Sequence, residues 1–557
     1  MLRLVVRRGR VWCFAAAVAL ILTAVPAGAS QSHVTHAAGE RVRFGVCPID
    51  LPTPRPVDCG KLRVPEVRGD PDSRIIRVAF AIVRAPAPVR PDPIVFVMGG
   101  PSYPAIDGFS MRFVFDHTAS TQHRDLILVD LRGTRSSRPF LNCPEFDRLA
   151  AETWPEGPTQ EQDETAQLAC RDRLARIADL RHYGSIDTAM DLRALRKALG
   201  YEQWNVMAFS AGGEPAFQLL RIDPAGTRAA VIDAPITGVT KASVDRVFWT
   251  EIPRQLLSGM LAGCEAQPSC NKAFPNLKSR FWHEVERLEA HPHLVHIKVE
   301  GGGSIPFRVY GHFFQQDVAF LMADPFGKQF APAILDELLR HGIDPLYDFT
   351  IGPPFPIADV VAEGRTIAYR CREYISHKDR DAIQTIVDRY PRWAWVTRDG
   401  FRSEHRRCTL WDVGRDSRVG AFTDVDVPTL MFQGQWDPAV PNAPIEAEAA
   451  HLHDGTFVQV PDIGHGALVS WLGWQDCPRS IATFFLNHPN ATQDTSCVDD
   501  MPHTVFETSL PGLPDGRAAD LRGALRAVRG RLARGPYARL ALEGRSPLTA
   551  PPAAAAG

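Results

Sequence analysis

No excess of either charge marks this sequence: 62 Lys and Arg face 64 Asp and Glu, for a formal net charge of −2. Nucleic-acid binding draws on a clustered basic surplus, so that class of partner is set aside. CxxC pairs are absent, and no Cys and His residues fall at zinc-finger spacing. A structural zinc site is disfavoured on that ground, and no metal or cofactor is expected. No internal repeat is visible. The apolar run Trp12 to Val25 is short for a membrane span and ends in Pro26 and Gly28.

What is present is an ordinary globular composition, 45% hydrophobic and 23% charged over 557 residues. That length suggests several domains or one domain with a large insertion. The N-terminus has the parts of an export signal: Arg3, Arg7, Arg8 and Arg10, the apolar run, then Ala27-Gly28-Ala29. Cleavage is expected after Ala29, giving a secreted, periplasmic or cell-envelope protein. Cys13 leaves with the signal, and an even number of cysteines remains, which implies disulfides in an exported chain. Sequence does not fix the pairing; joining successive cysteines keeps each loop local.

The most informative stretch is QWNVMAFSAGGEPA, centred on Ser210. An apolar strand, Trp204 to Phe209, runs into a serine followed by Ala211, Gly212 and Gly213, and then by a helix-compatible run. Small residues around a serine at a strand-to-helix turn are what a nucleophile elbow needs, because the backbones approach closely there. The helix N-terminus then offers N–H groups to an oxyanion.

Strand-like runs (61–67, 74–84, 93–102 ending in paired glycines, 125–133 ending in a turn, 204–209, 229–234) alternate with helical pattern such as Ile186 to Leu199. This predicts a mostly parallel sheet with helices on both faces. The rhythm stops over 236–419 and resumes at 428–437 and 456–465, so a mainly helical cap is expected to interrupt the core. The expected organisation is a signal (1–29), core (30–235), cap (236–419), core (420–500) and a basic tail (501–557). In the tail, Leu521, Leu525, Val528 and Leu532 recur at helical spacing among arginines. That helix either docks on the body or makes weak contact with an anionic membrane surface. The Ala/Pro end is expected to be disordered.

A serine nucleophile requires a base and an orienting acid. Asp437, in FQGQWDPAVP, and His465, in PDIGHGA, each lie just past a strand and follow Ser210 in the order Ser, Asp, His. Gly99 and Gly100, after the strand PIVFVM, are candidate oxyanion donors together with Ala211.

These motifs resemble the secreted tripeptidyl/prolyl aminopeptidase branch of the α/β-hydrolases. CGKLRVP, VMGGPS, VDLRGTRSS with LNCPE, the helix-and-elbow segment 183–213, GQWDPAVP and GHG occur in the family's order. The resemblance implies an α/β-hydrolase fold and a serine exopeptidase acting on peptides with free N-termini. It implies that Ser210, Asp437 and His465 form the triad, and that acidic residues, with Glu373 in RCREY and Glu214 as candidates, meet the substrate ammonium. Ala208, Ala211, Met98 and Ser102 depart from the family pattern, which bears on the substrate more than on the reaction. An esterase or amidase on the same scaffold, taking a small acyl substrate, and an inactive binding protein are the alternatives.

Overall fold

The computed structural model describes residues 40–510 apart from 87–88, 101, 108–118, 237, 324–326, 374–379, 420–424, 453–454 and 469–475. The expected signal with its cleavage site at Ala29 and the amphipathic pattern Leu521 to Leu532 lie outside the described residues.

A nine-stranded sheet forms the core. Its strands are β1 (Arg41–Gly45), β2 (Val57–Pro65), β3 (Ile75–Val83), β4 (Ile94–Val97), β5 (Leu126–Asp130), β6 (Trp204–Phe209), β7 (Thr227–Asp233), β11 (Thr429–Gly434) and β12 (Gly455–Val460), with β8 to β10 lying elsewhere in the chain. The spatial order is β1-β2-β3-β5-β4-β6-β7-β11-β12. β1, β2 and β3 are antiparallel, and β3 meets β5 antiparallel; from β5 onward every neighbour is parallel.

Side-chain pattern explains the layering. All four residues of β4, Ile-Val-Phe-Val, are buried, as a parallel strand covered on both faces requires. In β11, Met431 joins a core with Leu192, Leu195 and Phe217, whereas Leu430 and Phe432 join another with Ile481 and Phe485. Successive side chains of a strand point to opposite faces, so helices cover both sides. Each fully buried Leu, Ile or Phe stabilises the fold by about 1.5–3 kcal/mol.

The chain order reverses around β4, which pairs with β5 on one side and β6 on the other. A crevice forms at such a reversal, beyond the carboxyl ends of the strands. The loops after β4 and β6 flank it, and they contain Gly99 and Ser210.

Between β7 and β11 the chain builds helices and a small separate sheet, β10-β8-β9, with β8 at His293–Val299, β9 at Ser304–Val309 and β10 at Thr350–Ile351. Much of this segment packs around its own core of Leu256, Phe281, Phe314 and Leu335. Trp436 from the loop after β11 and Phe506 near the end of the described chain also enter that core. Its later helix Glu363–Glu373 packs with Leu141, Leu174 and Tyr183 from the first part of the chain, and the helix Ala394–Trp411 joins that cluster through Cys408 and Trp411 while its Val396 enters the segment's own core.

Five disulfides join successive cysteines: Cys47–Cys59, Cys143–Cys170, Cys264–Cys270, Cys371–Cys408 and Cys477–Cys497. Among the described residues, no helix is long and apolar enough to cross a membrane.

Candidate active site

Ser210 leaves the end of β6 with φ +54° and begins the 3-10 turn Ser210–Gly212, which continues into the helix Gly213–Ile222. A non-glycine residue in this region costs about 1–3 kcal/mol and persists only where its surroundings enforce it. The enforcement is visible. A Cβ on Gly212 would lie 2.2 Å from the Val97 carbonyl oxygen, so only glycine lets the turn sit against β4. The Ser210 carbonyl also accepts the Ile236 N–H at 3.0 Å.

Gly99 faces the same serine. A Cβ there would meet Ser210 Cβ at 2.5 Å and Oγ at 3.2 Å. The Gly99 backbone is therefore beside the hydroxyl, and Ala211, the next residue along the turn, is buried next to it. Gly100 has φ +56° and its α-carbon is turned toward the Tyr103 ring. Downstream, this loop is fastened twice. The buried Asp130 carboxylate accepts N–H groups from Ala105, Ile106 and Ser136 at 2.8–2.9 Å. Ser102, which departs from the family's glycine, pairs its hydroxyl with Thr366, and its carbonyl accepts the Ala362 N–H at 3.3 Å.

Asp437 and His465 are brought together. Asp437 Oδ1 accepts the N–H groups of Ala439 and Val440 at 2.7 and 2.8 Å, and Oδ2 takes Gln433 Nε2 at 3.1 Å and His465 Nδ1 at 2.9 Å. A carboxylate at Nδ1 selects the tautomer that leaves Nε2 free to accept a proton. The Phe209 ring, adjacent to Ser210, packs on the imidazole with centroids 4.8 Å apart. Base and elbow thus share one wall of the crevice.

Burial alone would lower the His465 pKa. The Asp437 carboxylate outweighs it by charge and by its hydrogen bond, Asp233 adds to this, and the imidazole titrates above its usual value. A neutral base is therefore lost as pH falls through that raised value.

The two carboxylates named for the substrate ammonium are both buried. Glu373, at the end of the helix Glu363–Glu373, accepts Ser185 N–H at 2.5 Å and Ser185 Oγ at 2.8 Å, at the start of the helix Ser185–Ala198. Glu214 is buried in the first turn of the helix that follows the elbow. Cys143, Glu145 and Cys170 gather donor atoms within 4.8 Å. Both sulfurs are joined in a disulfide and Glu145 pairs with Arg173 at 2.7 Å, so the cluster has no ligand set to offer a metal.

Residues 92–284 match the family described as alpha/beta hydrolase fold, and residues 396–497 match the family described as TAP-like protein. This chain has the α/β-hydrolase fold, and its later part is similar to the TAP-like family. It is 30% identical over 243 residues to serine protease Hip1 of Mycobacterium tuberculosis, covering 41% of this chain and 46% of that protein. It is 25% identical over 244 residues to tripeptidyl aminopeptidase of Streptomyces lividans, covering 38% and 42%. The match thus spans about half the length of these curated relatives. The solved proline iminopeptidase of Mycobacterium smegmatis aligns at 15% identity and TM-score 0.35, over 77% of this chain and 98% of that one.

The sequence reading overlooked three side chains in these loops: Gln433, which steadies Asp437, Asp130, and Asp233 at the end of β7. All three sit at or near the end of an apolar strand, as Asp437 does, and that position was the available signal.

Proposed function

We propose that this α/β-hydrolase is an exported serine exopeptidase that cleaves peptide bonds near free N-termini. The observation that carries the reading is the His465–Asp437 contact of 2.9 Å beside an elbow serine held at φ +54°. Ser210 Oγ attacks the scissile carbonyl while His465 Nε2 takes its proton. The carbonyl electron pair moves onto oxygen, where N–H groups of Gly99 or Gly100 and Ala211 receive the charge. Collapse returns the proton to the leaving amine and leaves an acyl-enzyme, which water cleaves by the same steps in reverse.

The choice of peptides over esters rests on the relatives' names, serine protease and tripeptidyl aminopeptidase. Export rests on the N-terminal pattern and on five disulfides, which persist in oxidising compartments. For the substrate ammonium the candidates are Glu373, whose oxygens also hold Ser185, and Glu214, one helical turn from the nucleophile.

Aminoacyl and tripeptidyl arylamides assayed beside short acyl esters test the reading. Arylamide turnover that disappears when the α-amine is acetylated is expected. Ester turnover without arylamide cleavage would replace the peptidase with an esterase, and failure to react with either set or with a fluorophosphonate would indicate a binding protein.

A further inference from the structure

The catalytic edge carries a second buried carboxyl that the reaction just described leaves unused. Asp233 ends β7, and β7 lies between β6, which leads to Ser210, and β11, which leads to Asp437. Its side chain is 2% exposed. One oxygen accepts the Ala467 N–H and the other the Leu468 N–H, each at 2.8 Å. The donors lie two and three residues after His465 along the chain, so this carboxyl pins the returning limb of the base loop to the centre of the sheet.

A carboxyl is a costly choice for that task. Burying a charge is expensive even when it is hydrogen-bonded, and a backbone tie alone could be made by an amide or a hydroxyl. What the carboxyl adds is charge close to the base. Two titratable groups face Asp233 within electrostatic reach, His465 from the loop after β12 and Asp437 from the loop after β11. Burial pushes it up to about 6, the two N–H bonds and the imidazole act against this, and Asp437 adds to it. Above that value the group is an anion.

We propose that Asp233 is a positioning residue for the base: it fixes the His465 loop through two backbone bonds and places a second negative charge near the imidazole, supplementing Asp437. The proposal rests on Ser210, His465 and Asp437 acting as the triad. When His465 takes the Ser210 proton it becomes a cation, and an anion already fixed nearby stabilises that cation without rearrangement. An amide in the same place would hold the loop and lose this effect.

The test is the second-order rate of fluorophosphonate labelling from pH 5 to 9, in the full chain and in its Ser210→Ala, Asp233→Asn and Asp233→Glu variants. Removing the anion destabilises the imidazolium, so Asp233→Asn is expected to move the acid limb of the profile to lower pH by about 0.5 unit or more. Its plateau should fall, by up to about 10²-fold, as the loop loosens and the base is misplaced. Asp233→Glu, which keeps the charge, should hold the limb near its original position even with a reduced plateau. An Asp233→Asn profile with an unmoved limb overturns the proposal, whatever its plateau, because a merely structural tie predicts that result. Equal labelling of the parent and Ser210→Ala would instead remove the triad, and this proposal with it.

Should Asp233→Asn not fold, the otherwise native Ser210→Ala chain gives the answer through the imidazole ¹⁵N signals of His465. Two inflections, one from the ring and one from a neighbouring carboxyl, are expected. A single inflection at the ordinary imidazole value overturns the proposal.

Discussion

The loops at the carboxyl edge of the sheet and the helices between β7 and β11 both bury acidic groups, but they satisfy them differently. At the edge, Asp437, Asp233 and Asp130 are held by backbone N–H groups. In the intervening segment, Asp336 pairs with Arg280 and Arg340, and Glu404 with Arg370 and Arg407. An arginine partner cancels a carboxylate's charge locally, whereas backbone dipoles orient a carboxylate and leave its charge to act on a neighbour. For Asp437 and Asp233 that neighbour is the His465 imidazole; in the segment the charges are spent on joining helices. The same residue types thus serve chemistry in one region and architecture in the other.

The comparison breaks most completely at the nucleophile. Ser210→Ala should reduce hydrolysis by roughly 10⁴–10⁶-fold with the circular dichroism spectrum unchanged. Next in size, Asp437→Asn should lower kcat by roughly 10⁴-fold, since the amide favours the wrong tautomer. It should also move the acid limb to lower pH, because Asp437 is the main group holding the His465 pKa up. A limb that stays in place would mean the edge carboxylates do not act through charge.

Gly99→Ala sharpens the contrast within the edge. Its Cβ would meet Ser210 Cβ at 2.5 Å. Displacing one donor there is expected to cost roughly 10²–10³-fold in kcat, read from steady-state kinetics, with little change in melting temperature. Glu373→Gln should do the opposite. The amide weakens the bonds to Ser185 at the start of the helix Ser185–Ala198, at about 1–3 kcal/mol in a urea titration, while fluorophosphonate labelling stays close to that of the parent. Loss of labelling at full stability would move Glu373 from architecture to chemistry.

The legible parts of the molecule were those written in local pattern. β4, β5, β6, β7, β11 and β12 are short apolar runs bounded by turns, and each begins within two residues of where the pattern placed it, though β4, β11 and β12 end several residues earlier. Ser210, Asp437 and His465 stood out as candidates because each lies just past one of these runs, Ser210 at once and the other two within a few residues. β1 was not readable: it is exposed along nearly its whole length, so no apolar alternation marks it. β8 and β9 do alternate, as in the buried Val295 and Ile297 between exposed neighbours, with a glycine turn at Gly301–Gly303. That signal was present and was submerged in a stretch read as helical. Asp233 was beyond reach for another reason. Its partners, Ala467 and Leu468, are brought to it by the strand order β7-β11-β12, and strand order is a property of the packed sheet.

The most direct measurement is to map the fluorophosphonate adduct by mass spectrometry in the parent chain and in His465→Ala. Convergence of the serine, imidazole and carboxylate predicts one adduct, on Ser210, formed at least roughly 10³-fold more slowly once the imidazole is gone. An adduct on Ser210 that forms equally fast without His465, or one on a different residue, would contradict it.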